Sequence, residues 1–93
     1  MPLFVISWMD KPDSLPVRMG AREAHLAYVK DHGGVKLGGP YLSDAGEMIG
    51  SLIIVEAEDL EGAKAFHAAD PYKQAGLMES ATITPWRVTA NHF

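Results

Sequence analysis

Residues 3–9 read Leu3-Phe4-Val5-Ile6-Ser7-Trp8-Met9, apolar, β-branched or aromatic at nearly every position. That composition predicts a β-strand. A strand with one solvated face alternates apolar and polar residues. Here Leu3, Val5 and Met9 fall on one side and Phe4, Ile6 and Trp8 on the other. Such a strand expects cover on both faces and a place inside its sheet. Residues 48–56 (MIGSLIIVE) repeat the pattern and predict a second strand of the same kind.

The remaining elements follow from these two. Asp10 to Pro16 is rich in turn residues. A helix is expected from about Val17 to His32, stopped by Gly33-Gly34. Residues 35–43 (VKLGGPYLS) suggest a strand interrupted by Gly38-Gly39-Pro40, and Asp44-Ala45-Gly46-Glu47 a turn. Asp59 is placed to cap a helix from Leu60 to about Ala69, which Pro71 limits. Residues 72–77 read as an irregular turn and residues 80–88 as a last strand, with Pro85 at an edge or bulge. The order β-α-β-β-α-β is the α+β, ferredoxin-like arrangement. Two helices then cover one face of a four-stranded antiparallel sheet. The other face is also apolar, and a second copy of the chain is the simplest cover.

At 93 residues the chain is read as a single domain, residues 1–93. Eight lysines and arginines against twelve acidic residues give a formal charge of −4. That balance disfavours nucleic acid and anionic membrane surfaces as partners. There is no cysteine, which removes disulfides, thiolate metal sites and a cysteine nucleophile. Apolar runs are much shorter than the roughly 18 residues of a membrane span. Met1-Pro2-Leu3-Phe4-Val5 lacks the basic start of a signal peptide, so the expected setting is cytoplasmic.

The phase of the first helix carries the functional signal. At a helical period, Arg18, Arg22, His25 and Val29 form one narrow stripe, while Glu23, Ala27, Lys30 and Asp31 lie opposite. Two arginines and a histidine thus occupy the side that should face the core. Unpaired burial of such groups costs several kcal/mol each. They should meet carboxylates or line a polar pocket. In the second helix Leu60, Ala63, Phe66, His67 and Asp70 share a side, which brings Asp70 toward the first helix. Arg18 has the alternative of solvation in the first turn, and Arg22 that of a structural ion pair. His67 with Asp70 is expected to form a local hydrogen bond. His25 and His32 lack the close spacing of a metal pair, and no phosphate loop or dinucleotide fingerprint is present. No metal and no cofactor are expected. Ser51 follows Gly50 in a predicted strand, from which its hydroxyl can face a pocket.

Along nearly its whole length the chain resembles the YciI-like (YCII-related) family. The resemblance rests on Phe4-Val5-Ile6 followed by Asp10; Arg18 and Arg22 with His25-Leu26; Gly39-Pro40; Gly50-Ser51; Asp70-Pro71-Tyr72 with Ala75-Gly76; and Pro85-Trp86-Arg87. The segment between Gly39-Pro40 and Gly50-Ser51 is shorter than in longer members. The resemblance implies a ferredoxin-like fold that dimerises through its sheets into a dimeric α+β barrel. It also implies an active site around a histidine–aspartate dyad, which by motif falls on His25 and Asp70. Activities in the family and its wider group include dehydrochlorination of a chlorinated trihydroxybenzene, muconolactone isomerisation and cofactor-free oxygenation.

The resulting expectation is a small cofactor-free enzyme, a lyase or isomerase moving protons on a small anionic, enolic or phenolic substrate. His25 and Asp70 are its expected catalytic pair. Arg22, Arg18, Ser51, Tyr72, Gly39 and Pro40 are the expected substrate-binding residues. The alternative is a non-catalytic dimer that binds or senses a small molecule. In either case the expected partners are a small ligand and a second copy of the chain, or a higher homo-oligomer.

Overall fold

Strand β1 (Leu3–Asp10) runs through the interior of the sheet, which accounts for its two apolar faces. The computed structural model describes residues 1–93. β1 pairs antiparallel on one side with β3 (Met48–Glu56) and on the other with β4 (Met78–Trp86). β2 (Val35–Leu42) lies outside β3, giving the order β2-β3-β1-β4. Phe4, Ile6 and Trp8 join Ile53 and Val55 in the core, against Ala63 and Phe66 of helix α2 (Leu60–Ala68). The opposite face carries Leu3, Val5, Leu52, Ile54 and Trp86. Residues beyond β4 border a hollow on this face, lined by Val88, Ala90 and Phe93 together with Leu3, Leu37, Ile54 and Trp86.

Local chemistry explains the helix boundaries. Helix α1 (Leu15–His32) starts earlier than expected, because Pro16 fits a first helical turn that needs no N–H. It ends at Gly33, whose φ of 81° suits glycine. Asp59 caps α2 as expected, accepting the Gly62 N–H at 2.8 Å. The expected irregular turn after Pro71 is instead a short helix, α3 (Pro71–Gln74), capped by Asp70. Nor does Gly38-Gly39-Pro40 break β2. The strand is continuous, with irregular register near Val35–Leu37 and Tyr41–Leu42. An edge strand tolerates proline, which has no N–H to give. β4 also begins two residues earlier than expected, across an irregularity at Met9–Asp10.

The buried residues of α1 are Arg18 and His25. Arg18 is 2% exposed, so the solvated alternative for it is excluded. Its guanidinium grips Asp10 at the end of β1 with Nε–Oδ2 2.7 Å and Nη2–Oδ1 3.0 Å. The same Nη2 donates to the Gly50 carbonyl and to Ser51 Oγ, both at 2.9 Å. The Trp8 indole N–H adds a 3.0 Å bond to Asp10 Oδ1. One side chain thereby ties α1 to β1 and β3. Gly50 is needed at this junction, since a Cβ there would run into the Trp8 carbonyl.

His67 on α2 is also buried, and neither ring nitrogen has a hydrogen-bond partner. The expected hydrogen bond to the Asp70 side chain is not formed. The link between the two is instead from the Asp70 N–H to the His67 carbonyl, 3.2 Å. Burial pushes the His67 imidazole below the ordinary histidine value. The Asp70 charge opposes that shift, and Lys73 adds to it.

Two stability predictions follow from these buried groups. Asp10→Ala strands the Arg18 guanidinium in the interior and should cost about 3–5 kcal/mol, read by urea denaturation. Adding Arg18→Met to that variant should recover much of the loss, because no unpaired charge remains. His67 gives a pH dependence. The unfolded imidazole takes its proton near pH ~6.5, the folded one only at lower pH, so the unfolded state binds more protons between those values. The contribution is complete above pH ~6.5 and is lost as pH falls through the folded value. Thermal melts of His67→Phe should therefore show a shallower acid-side loss of stability than the unsubstituted chain.

Candidate active site

Three elements converge beside the Arg18 junction. α1 supplies His25 one face-repeat along from Arg18, the α2–α3 connection supplies Asp70, and α3 supplies Tyr72. His25 Nδ1 lies 2.8 Å from Asp70 Oδ1. Asp70 is wholly inaccessible to solvent and His25 nearly so. The same Oδ1 accepts the Tyr72 backbone N–H at 2.9 Å, the capping bond that starts α3. The proline at residue 71 holds Asp70 extended, with φ −64° and ψ 128°, as a residue before proline prefers.

This geometry dictates the tautomer of His25. An ionised carboxylate only accepts hydrogen bonds, so the neutral imidazole must carry its proton on Nδ1. Nε2 is then a bare base. It has no protein partner, yet it is not among the sealed unpartnered atoms, so it is the ring atom open to the cleft. The imidazole stacks on the Tyr72 ring, with centroids 3.9 Å apart and planes at 15°. The Arg18 guanidinium carbon sits 4.7 Å from the centre of that ring. Burial raises the Tyr72 phenol above its usual value, with Arg18 and Arg22 acting against the shift.

A cleft of about 130 Å³ opens in front of His25. A cavity of roughly 150 Å³ holds one benzene ring, so this space suits a single small ring or its equivalent. Leu26, Val29, Met48 and Ile53 make its apolar lining, and Gly38, Gly39 and Pro40 of β2 form one wall. Arg18, Arg22, Ser51 and Tyr72 supply its polar groups.

Every expected site residue except Asp70 borders the cleft directly, and Asp70 stands behind His25. Their situations differ. Arg18 is engaged by Asp10, Gly50 and Ser51, so its charge is largely compensated before any ligand arrives. Arg22, one turn on, is exposed and takes part in none of the four ion pairs. It is the free cation of the cleft. Ser51 Oγ receives a hydrogen bond from Arg18 and keeps its own O–H to donate. Asp10 was not foreseen as the partner of Arg18. The available signal was an acid closing an apolar strand, separated only by a turn from a helix with an inward arginine. No three His, Asp or Glu side chains gather as a metal-binding set.

Comparison with known proteins agrees with this architecture. The family model of the YCII-related domain matches residues 2–87. Protein YciI of Escherichia coli O6:H1 is 38% identical over 94 aligned positions, covering 91% of this chain and 96% of its own. An uncharacterised protein of Haemophilus influenzae is 33% identical over 90% of this chain and 95% of its own. Among solved structures, 5-chloro-2-hydroxyhydroquinone dehydrochlorinase (TftG) of Burkholderia phenoliruptrix AC1100 superposes with a TM-score of 0.83. It shares 36% identity over 91% of this chain and 93% of its own, and was solved in complex with 2,5-dihydroxybenzoquinone. In sequence, element order and three-dimensional shape, the chain belongs to the YCII-related domain family.

Proposed function

We propose that the protein is a cofactor-free enzyme that moves a proton on a small anionic, enolic or phenolic substrate. The reaction class is elimination, isomerisation or dehydrochlorination. The observation that carries this reading is the bond between His25 Nδ1 and the sealed Asp70 carboxylate, with Nε2 open to a ring-sized cleft. The similar dehydrochlorinase, which binds a dihydroxybenzoquinone, supports the substrate class.

In this reading His25 Nε2 takes a proton from the substrate, and Asp70 compensates the imidazolium that forms. Arg22 holds the oxygen on which negative charge grows, and its planar fork suits a carboxylate or enolate. Tyr72 and Ser51, which line the cleft, donate to neighbouring substrate oxygens in this reading. The glycine–proline wall at Gly39 and Pro40 shapes the space beside a flat ring. In an elimination, the electrons of the broken C–H or O–H bond expel chloride, and the net loss is one proton and one chloride. The proton then passes from Nε2 to water.

We also propose that two copies pair through the sheet face opposite the helices. Its support is the run of Val5, Leu52 and Ile54 across the centre of that face, with no charged residue among them. No helix of the chain is long and apolar enough to cross a membrane.

Chlorinated and hydroxylated quinols supply the assay, with turnover followed by absorbance or chloride release and binding by calorimetry. His25→Asn should lower turnover by about 10²–10⁴-fold while leaving binding close to its original strength. Arg22→Lys keeps the charge but loses the bidentate fork, and should weaken binding and turnover together. Ligand binding without turnover in the unsubstituted chain, with both variants acting on affinity alone, would favour a binding or sensing role. For the pairing, light scattering at micromolar concentration should give twice the chain mass. Leu52→Glu should shift it toward the monomer, because it buries an unpaired charge between the sheets. A monomeric unsubstituted chain would end the pairing proposal.

A further inference from the structure

Asp70 uses only one of its two carboxylate oxygens. Oδ1 holds both His25 and the Tyr72 amide, whereas Oδ2 is buried with no hydrogen-bond partner. His67, one helical turn earlier, is the other group in this state, with both ring nitrogens buried and unpartnered. Buried polar atoms without partners are rare, because each has given up its hydrogen bonds to water for nothing. Three of them on two side chains three residues apart form a matched set of donor and acceptor. The chain itself joins the two residues through the Asp70 N–H and the His67 carbonyl. The Asp70 charge also acts on the His67 imidazole, together with Lys73 from α3. His67 also lies beside Trp8 of β1, with ring centroids 5.9 Å apart.

We propose that His67 is a positioning residue for the dyad: its ring N–H turns onto Asp70 Oδ2, so that the carboxylate is held through both oxygens while it orients His25. The proposal rests on the reading of His25 and Asp70 as a functional pair and adds a third member to it. A neutral imidazole has one N–H to give, and rotation about its Cβ–Cγ bond changes which ring atom faces the carboxylate. Held at one oxygen pair only, the carboxylate can swing about its own axis and loosen its grip on His25 Nδ1. Held at both, it keeps the Nδ1–H tautomer of His25 and leaves Nε2 bare toward the cleft.

The test reads the His25 tautomer directly, with no substrate. Long-range proton–nitrogen correlation spectra at alkaline pH distinguish a ring nitrogen that bears hydrogen from one that does not. Three variants are compared with the unsubstituted chain. His67→Phe keeps the aromatic ring beside Trp8 but has no donor. It should lower the ratio of the Nδ1–H to the Nε2–H tautomer of His25 by about tenfold, the scale of one hydrogen bond to a charged acceptor. His67→Gln restores a donor and should recover most of that ratio. Asp70→Asn tests the underlying pair and should also change the ratio. If His67→Phe leaves the tautomer unchanged while Asp70→Asn alters it, His67 is only a packing residue and the proposal falls alone. If His67→Gln behaves like His67→Phe, the effect is packing and the proposal again falls. If Asp70→Asn has no effect, the pair itself fails and the proposal goes with it.

Discussion

A carboxylate with no access to water must have its charge answered inside the protein, and Asp70 is such a group. Its answer comes from α1 through His25 and from α3 through the Tyr72 amide. These two bonds fix where the short helix starts and how it lies against α1. They also fix the stacking of Tyr72 on the imidazole, and with it the floor of the cleft. Removing the carboxylate would therefore disturb three things together: the cap of α3, the orientation of His25 and the packing between the helices. A site built this way couples the position of each side chain to the architecture around it.

The Arg18–Asp10 pair is the mechanical counterpart. It is as deeply buried as the His25–Asp70 pair, with exposures of 2% and 6%, but its Nε and Nη2 donors are spent on protein acceptors. Such a pair contributes little net stability when compared with an apolar replacement, yet it is costly to break. Its value here is geometric. It sets the register of α1 over β1 and β3, and a shift of that helix would move His25 relative to Asp70. The two arginines of the stripe are thus divided in their work: one is an anchor inside the wall, the other stands free at the cleft.

Much of the architecture was legible in the sequence, for identifiable reasons. Strands with two apolar faces have few places to go in a small sheet, and β1 and β3 occupy adjoining interior positions. Asp59 announces α2 because capping is a local matter. Helical phase put His25 on the inward side, and Asp70-Pro71 marked a carboxylate at a helix boundary. Depth was less legible than direction. Phase points Arg18 and Arg22 the same way but does not say that one is sealed and the other exposed, since that depends on where the sheet ends beneath the helix. Asp10 belongs to another element and meets Arg18 only after the turn between them closes. The continuity of β2 through Gly38-Gly39-Pro40 was hidden because glycine and proline are breakers in general and only the edge position makes them harmless. The four residues of α3 are too few for any periodicity.

The two prolines of the outer strands have a consequence for the rims of the sheet. β2 and β4 are the free edges, and each contains a proline, Pro40 in one and Pro85 in the other. An exposed edge offers a row of N–H and C=O groups to any passing strand, and unchecked growth from such edges is how sheets extend into fibres. A proline interrupts that row by withholding a donor, and both ends of this four-stranded sheet are interrupted. A chain whose strands are this rich in valine and isoleucine needs that protection while it is being made, when its apolar segments are exposed before the helices close over them.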